Sequence, residues 1–366
     1  MGPERAERLA AAVSDEGLDQ LLVGDLVRPG DSERAATANL RYLTGFTGTS
    51  GLCLIGADER IFVTDSRYVE RAAQQVPGAF ERLRAERQLL PAIAERMGGR
   101  VGYDDANTSV HNFAKLEEIA PDGVELVPVA GLVEKLRRRK DEAEIEAIAE
   151  AARLTDEVYT AIAERGLAGR SEREVQLAAE QRMRELGAEG PSFPAIVAAG
   201  ANGSLPHAEA SEREIEAGEL VVIDMGAIVD GYCSDCTRTF ATGEIDAEAR
   251  EVYELVLSAQ AAALEHVEAG AAGRDVDAAA REPIDAAGHG EEFGHGVGHG
   301  VGIEVHEEPR LATRSDNELI AGDVVTVEPG VYVEGRFGVR IEDLVVVEAG
   351  GARNLSSFPK ELQVVG

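Results

Sequence analysis

The stretch that most constrains the fold runs from Leu220 to Phe240, LVVIDMGAIVDGYCSDCTRTF. Two apolar runs flank Asp230-Gly231, a dipeptide that favours a two-residue hairpin turn because both central residues must take positive φ. Such a turn fixes the pairing: residue 229 faces 232, and so Asp224 faces Thr237. Side chains alternate with a period of two, so Asp235 shares the face of Thr237 and hence of Asp224. A one-residue slip would separate the two acids. An aspartate inside an apolar strand costs several kcal/mol when left unpaired. Two carboxylates held together repel unless a cation sits between them.

The anomaly recurs downstream. Asp323-Val-Val-Thr-Val-Glu328-Pro-Gly and Gly338-Val-Arg-Ile-Glu342-Asp-Leu-Val-Val-Val347 read as a third strand pair, each run interrupted by a glutamate. Arg340 falls on the strand face of Glu342, where it can orient that acid. Of seven histidines, four (His289, His295, His299 and His306) lie within eighteen positions. The last three sit in FGHGVGHGVGIEVHEEP, whose alternating glycines make a poor helix and admit close approach of backbone or ligand. Four carboxylates with a histidine suit two divalent ions sharing bridging acids. Two such ions, about 3.5–4 Å apart, hold and deprotonate a water and polarise a carbonyl. The implied reaction class is metal-assisted hydrolysis.

Two domains are expected, residues 1–132 and 133–366. In the first, strand-like and helix-like patterns alternate in α/β order: Leu52–Ile55 and Arg60–Thr64 form a hairpin, and 69–76 a helix. The pattern breaks at Pro121-Asp-Gly, and the basic island Glu134-Lys-Leu-Arg-Arg-Arg-Lys-Asp141 reads as a solvated interdomain connection. Beyond it, Asp141-x-x-Glu144 can act as a capping box for a helix that buries Ile145, Ile148, Ala152, Thr155, Tyr159 and Ile162. Ser171-x-x-Glu174 opens a second helix that Gly187 closes, and a third spans about Asp246 to His266. Blocks rich in β pattern at 190–241 and 301–349 make this half α+β.

Composition narrows the partners. The 36 Lys+Arg against 68 Asp+Glu give a formal charge of −32, which argues against nucleic acid. With 44% hydrophobic residues, there is still ample core material. Only four of the basic residues are lysine (Lys115, Lys135, Lys140 and Lys360) and tryptophan is absent, a composition suited to high salt. A Debye length of roughly 3 Å at 1 M salt would screen the self-repulsion. Met1-Gly-Pro-Glu-Arg-Ala-Glu-Arg8 has neither a basic n-region nor an apolar h-region, and no stretch approaches the ~20 apolar residues of a membrane span. A soluble cytoplasmic protein is expected, with no membrane association. Cys233-Ser-Asp-Cys236 has no second pair to complete a zinc site, so both thiols read as small buried side chains.

The ordered set Asp224, Asp235, His299, Glu328 and Glu342, at intervals of 11, 64, 29 and 14, resembles the pita-bread metallopeptidases, specifically the Xaa-Pro dipeptidase (prolidase) and aminopeptidase P branch. Asn39-Leu-Arg-Tyr-Leu-Thr-Gly-Phe-Thr-Gly48 and Val63-Thr-Asp-Ser-Arg-Tyr68 look like a creatinase-type N-terminal domain. Ser192-Phe-Pro-Ala-Ile-Val and Leu205-Pro-His207 look like the start of the catalytic half. The resemblance implies an α/β creatinase-like domain followed by an α+β pita-bread domain. It implies a dinuclear metal-dependent exopeptidase that cleaves the Xaa-Pro bond of dipeptides or peptide N-termini through a metal-bridging hydroxide. Two divalent ions per chain are implied, Mn first, with Co, Zn or Fe as other occupants. Asp224 would bind one ion with both oxygens, Asp235 and Glu342 would bridge, and His299 with Glu328 would complete the other. Glu328 would also be the acid/base, His306 would stabilise the tetrahedral intermediate, and His207 and His295 would contact the substrate. Arg340, and less directly Tyr332, would hold the bridging carboxylates from outside. The preference for His299 over His295 as ligand comes from the resemblance. A homodimer is implied, with a proline-containing peptide as substrate. Met225 and Cys236 depart from the family pattern, but both are apolar enough to leave the chemistry alone. The alternative on the same fold is a metal-dependent lyase or a hydrolase of a small non-peptide substrate.

Overall fold

The computed structural model describes residues 4–24 and 38–366, so Met1-Gly-Pro, part of the stretch read above as lacking a targeting signal, lies outside the described residues. The chain divides into two compact units, Met1–Arg137 and Arg138–Gly366. Among the described residues no helix is long and apolar enough to cross a membrane.

In the first unit, β1 (Gln20–Gly24), β2 (Gly51–Gly56), β3 (Arg60–Thr64), β4 (Glu81–Arg84), β5 (Arg100–Tyr103) and β6 (Glu125–Pro128) form one sheet in the order β4, β3, β2, β1, β5, β6. The β1–β2 and β2–β3 pairs are antiparallel, and the outer pairs are parallel. Leu22, Leu54, Ile61, Val63 and Val101 fill its core with Ile93 and Leu116 from the covering helices. This is the α/β order expected, including the short helix Val69–Gln75.

The basic island departs from its solvated reading. It forms the helix Leu132–Arg138, and both Arg137 and Lys140 are buried. Arg137 Nη1 donates to Asn39 Oδ1 at 2.8 Å, and Lys140 Nζ lies 3.2 Å from Glu307 Oε2. Arg138 pairs with the fully buried Asp323 at 2.7 Å. Each of these three cations answers a buried acceptor, which a linear run of charge does not disclose, while Lys135 and Arg139 are exposed as expected.

The second unit is built from antiparallel strands backed by long helices. Both expected capping boxes form, Asp141 with Glu144 and Ser171 with Glu174, opening the helices Glu142–Arg165 and Glu172–Glu185. These two helices cover a sheet of β8 (Ile196–Ala199), β9 (Leu220–Met225) and β12 (Cys236–Ala241), beside a smaller one of β7 (Gly190–Pro191), β10 (Ala227–Val229) and β11 (Tyr232–Cys233). The Tyr159 hydroxyl lies 2.8 Å from the Ile223 carbonyl and 2.7 Å from that of Cys236, pinning the long helix to both strands of the central hairpin. That hairpin has the expected register: Val229 faces Tyr232 and Asp224 faces Thr237. Asp230 and Gly231 both take positive φ, 49° and 84°.

The other half has a sheet of β13 (Gly298–Gly300), β14 (Glu307–Leu311), β15 (Val324–Val327), β18 (Asp343–Glu348) and β19 (Gly351–Asn354) in the order β14, β13, β15, β18, β19, and a separate ribbon of β16 (Gly330–Val333) and β17 (Phe337–Arg340), with helix Ala247–Glu265 packed into their shared core. A further helix, Gly273–Ala286, was not expected from the sequence, because Gly273 and Pro283 both disfavour one. Glycine is needed at its start, where a Cβ would lie 2.4 Å from the Arg310 carbonyl. Val276, Ala280 and Ile284, spaced by four, are its buried stripe. The run 338–347 is not one strand. It breaks at Ile341-Glu342: β17 pairs with β16, whereas β18 pairs with β15.

Candidate metal centre

The candidate ligands come from both halves of the second unit, and most lie where a strand ladder breaks. Asp224 is on β9. Asp235 occupies the gap between β11 and β12, where Gly226 is required opposite, since a Cβ there would lie 1.8 Å from the Ser234 carbonyl. Glu342 fills the break between β17 and β18, its N–H donating to the Thr237 carbonyl at 3.1 Å. One ligand oxygen from each of Asp224, Asp235 and Glu342 lies within 4.8 Å of the others. Asp235 and Glu342 are 6% and 1% exposed.

Each carboxylate that is anchored is anchored by one oxygen. Asp224 Oδ2 accepts from Arg340 Nη2 at 2.6 Å, and Glu342 Oε2 accepts from Thr237 Oγ1 at 2.7 Å. The Thr237 hydroxyl in turn accepts from Arg340 Nε at 3.0 Å while donating to Glu342. The remaining oxygens, Asp224 Oδ1 and Glu342 Oε1, are buried without a hydrogen-bond partner. Leaving two such acceptors dry is unfavourable unless a cation takes them. Burial pushes the carboxyls of Asp235 and Glu342 well up, and the facing acids push them further. Asp224 is also raised by burial, against the pull of Arg340. A cluster that resists ionisation when empty and offers free oxygens inward fits a divalent ion, which reverses that preference.

Arg340 therefore reaches Asp224, not Glu342 as the shared strand face suggested. The break at Ile341-Glu342 turns the two side chains apart, and Thr237 holds Glu342 instead. Thr326 plays the same part opposite: its hydroxyl accepts from the His299 N–H at 3.0 Å and lies 3.1 Å from Glu328 Oε1. Sequence reasoning missed both threonines, although each stands two residues from a candidate ligand on the same strand face.

His299 Nε2 lies 3.2 Å from Glu328 Oε1 and 3.7 Å from Asp235 Oδ2. Its Nδ1 is 3.0 Å from the Gly300 carbonyl, which can only accept, so an ion bound at Nε2 would leave the ring proton on Nδ1 with a partner already in place. The flanking glycines are obligatory: a Cβ at Gly298 would meet the Thr326 carbonyl at 2.0 Å, and one at Gly300 the Glu308 carbonyl at 2.2 Å. Burial raises Glu328, but its hydrogen bond to His299 and the charges of His299, His295 and Arg340 outweigh that and hold the carboxyl down at about 2.

Two further histidines, His306 and His295, flank this group. His306 packs edge-on against His299 with centroids 4.4 Å apart, and burial together with His299 lowers its pKa. His295 Nε2 is engaged by the Tyr332 hydroxyl at 3.0 Å, and that hydroxyl accepts from Arg340 Nη1 at 2.8 Å. Burial lowers His295 too. His207 is exposed, in the loop whose Pro206 carbonyl accepts from Arg340 Nη1 at 3.2 Å. Cys236, beside Asp235, is buried, and burial pushes its thiol well up, so it stays neutral.

Residues 146–349 match the Metallopeptidase family M24, and residues 5–139 match the Creatinase/Prolidase N-terminal domain. The chain is 34% identical over 365 residues to the Xaa-Pro dipeptidase of Pyrococcus furiosus, covering 98% of this chain and 99% of that one. The solved structure of a Xaa-Pro dipeptidase from Bacillus anthracis superposes with a TM-score of 0.92 at 39% identity, covering 99% of each chain. An X-Pro aminopeptidase from Thermotoga maritima MSB8 gives a TM-score of 0.88 at 36% identity, over 99% of this chain and 100% of that one. The creatinase-like domain followed by a pita-bread catalytic domain is thus the fold. With its carboxylate and histidine cluster at the junction of the two catalytic halves, this chain belongs to metallopeptidase family M24.

Proposed function

We propose that the protein is a dinuclear metal-dependent exopeptidase that hydrolyses the Xaa-Pro bond, as a dipeptidase in preference to an aminopeptidase. The observation that carries this reading is the pair of buried oxygens without hydrogen-bond partners, Asp224 Oδ1 and Glu342 Oε1, in a cluster that His299 Nε2 borders at 3.7 Å from Asp235 Oδ2. The similarity to Xaa-Pro dipeptidases over the full chain supports the proline-directed part and the preference for dipeptides. Asp224, Asp235, His299, Glu328 and Glu342 would hold two divalent ions, Mn first, since an oxygen-rich set also accepts Co, Zn or Fe. Bound there, such ions polarise the scissile carbonyl and acidify a water.

The chain's own groups do the rest. Glu328, held by Thr326 and His299, takes the proton of the attacking water and delivers it to the proline nitrogen as the bond breaks. His306 stands where it can stabilise the oxyanion of the tetrahedral intermediate. His207 and His295 orient the substrate around its scissile carbonyl. Arg340 fixes Asp224 and, through Tyr332, the ring of His295. The same reading makes the protein a cytoplasmic homodimer suited to high salt.

Hydrolysis of Ala-Pro and of a longer Xaa-Pro-led peptide by Mn2+-loaded protein tests it. A higher kcat/KM on Ala-Pro is expected. Preference for the longer peptide would make the enzyme an aminopeptidase, an unsaturated product would make it a lyase, and no cleavage of either peptide would overturn the reading.

A further inference from the structure

His207 stands in a loop between β8 and β9, and among the described residues its imidazole makes no hydrogen bond. Its place is therefore decided by its main chain. One end of the answer is Arg340, which takes the Pro206 carbonyl, and Ser204, whose hydroxyl accepts from the Gly335 N–H at 3.1 Å. The other end is a buried acid with no part in the metal cluster.

Glu172 is 0% exposed. It is the first residue of its helix, where the helix dipole favours a carboxylate. Its side chain does not cap its own helix; Ser171 does that. Instead Oε1 accepts from the Ala199 N–H at 2.8 Å, and Oε2 accepts from Asn202 Nδ2 at 2.9 Å, the Ser211 N–H at 3.0 Å and Ser211 Oγ at 2.6 Å. These donors stand before, within and after the segment 200–210. One carboxylate thus clasps both ends of the loop that presents His207. The backbone supports the clasp: the Glu172 N–H donates to the Arg213 carbonyl at 3.1 Å and the Arg173 N–H to that of Ser211 at 2.9 Å. Inside the loop, Gly203 lies so near Gly338 that a Cβ on the latter would meet the Gly203 carbonyl at 1.9 Å, so a displaced loop has little room to settle.

We propose that Glu172 is a positioning residue that sets where His207 meets the substrate. This rests on the substrate role given to His207 above. Four donors converge on two oxygens, so only a carboxylate satisfies them all. Gln at 172 would turn an N–H toward at least one existing donor, and burial leaves no water to relieve the clash. The loop would shift, while Asp224 and Glu342, held by Arg340 and Thr237, would not.

The test is a double-mutant cycle on the metal-loaded full chain with Ala-Pro, comparing wild type, E172Q, H207A and E172Q/H207A, with bound metal measured for each. E172Q should lower kcat/KM on the order of tenfold or more, in line with small misplacements at reacting centres, with bound metal unchanged. In the H207A background it should cost nothing further, because Glu172 acts through His207. Additive losses, or loss of metal in E172Q, would overturn the proposal. E172D, which keeps the charge, should recover part of the loss, and it serves as the second variant if E172Q does not fold. A crystal structure of E172Q, or of E172D, decides the placement without any substrate: His207 moved by about 1 Å with the carboxylates in place supports it, and an unmoved loop contradicts it. Wild-type inactivity on Ala-Pro would instead sink the peptidase reading, and the structure of the variant would still decide the role of Glu172.

Discussion

At the scale of single residues, the site rests on groups that hold ligands as much as on the ligands. Thr237 and Thr326 each accept one hydrogen bond and turn their only proton toward a ligand carboxylate. Removing such an outer partner typically costs 10–100-fold in metal affinity. Thr237→Val should therefore weaken Mn2+ binding by about that factor in a calorimetric titration while the chain stays folded; unchanged affinity would show that the hydroxyl does not orient Glu342. His207→Ala should leave the titration unaltered and lower kcat/KM on Ala-Pro, as the proposed substrate role of its exposed imidazole requires. The acids themselves were legible in the sequence, because a carboxylate inside an apolar strand is conspicuous. The threonines were not, because a threonine in a strand is ordinary until its hydroxyl's partners are known. Arg340 was read on one strand with Glu342 and so assigned the wrong acid, because alternation of faces holds only while the strand continues, and β17 ends at Arg340 itself.

At the scale of elements, the hairpin around Asp230-Gly231 was legible to the residue, since turn chemistry and alternation together leave one register. The capped helices were legible for a similar reason: Asp141 and Ser171 each announce a start with an acid three residues on. Breaking the first box with Asp141→Ala should lower stability by about 1 kcal/mol, read as a shift in the denaturant midpoint, without touching metal affinity. The helix Gly273–Ala286 escaped because its glycine and proline serve tertiary needs that no local pattern states. Asp277, within it, is buried and accepts from the Val297 N–H at 3.0 Å, so this helix also sets the approach of the histidine segment. Gly226 gives a sharper test at this scale. Gly226→Ala places a Cβ against the Ser234 carbonyl, so it should force the strands beside Asp235 apart and cost both stability and bound metal. Full metal occupancy in that variant would contradict the close crossing.

At the scale of the whole molecule, the charge of −32 exceeds anything the site requires, since only four of the 68 acids belong to the proposed centre. Exposed acids repel one another across the surface, and salt screens that repulsion within a few ångströms at molar concentration. Stability and activity should therefore fall together as KCl is lowered from about 2 M to about 0.1 M, followed by thermal unfolding and Ala-Pro hydrolysis. Full stability at low salt would mean that the surface charge is tolerated rather than needed, and would leave the peptidase reading intact. The central claim is that the carboxylates and His299 hold the ions that carry hydrolysis. It is tested most directly by following Ala-Pro hydrolysis while Mn2+ is titrated into metal-free protein, for wild type beside a folded Asp235→Ala variant. Activity should saturate at about two ions per chain in the wild type and be absent in the variant; activity retained in folded Asp235→Ala, or in the metal-free wild type, would refute metal-dependent hydrolysis at this centre.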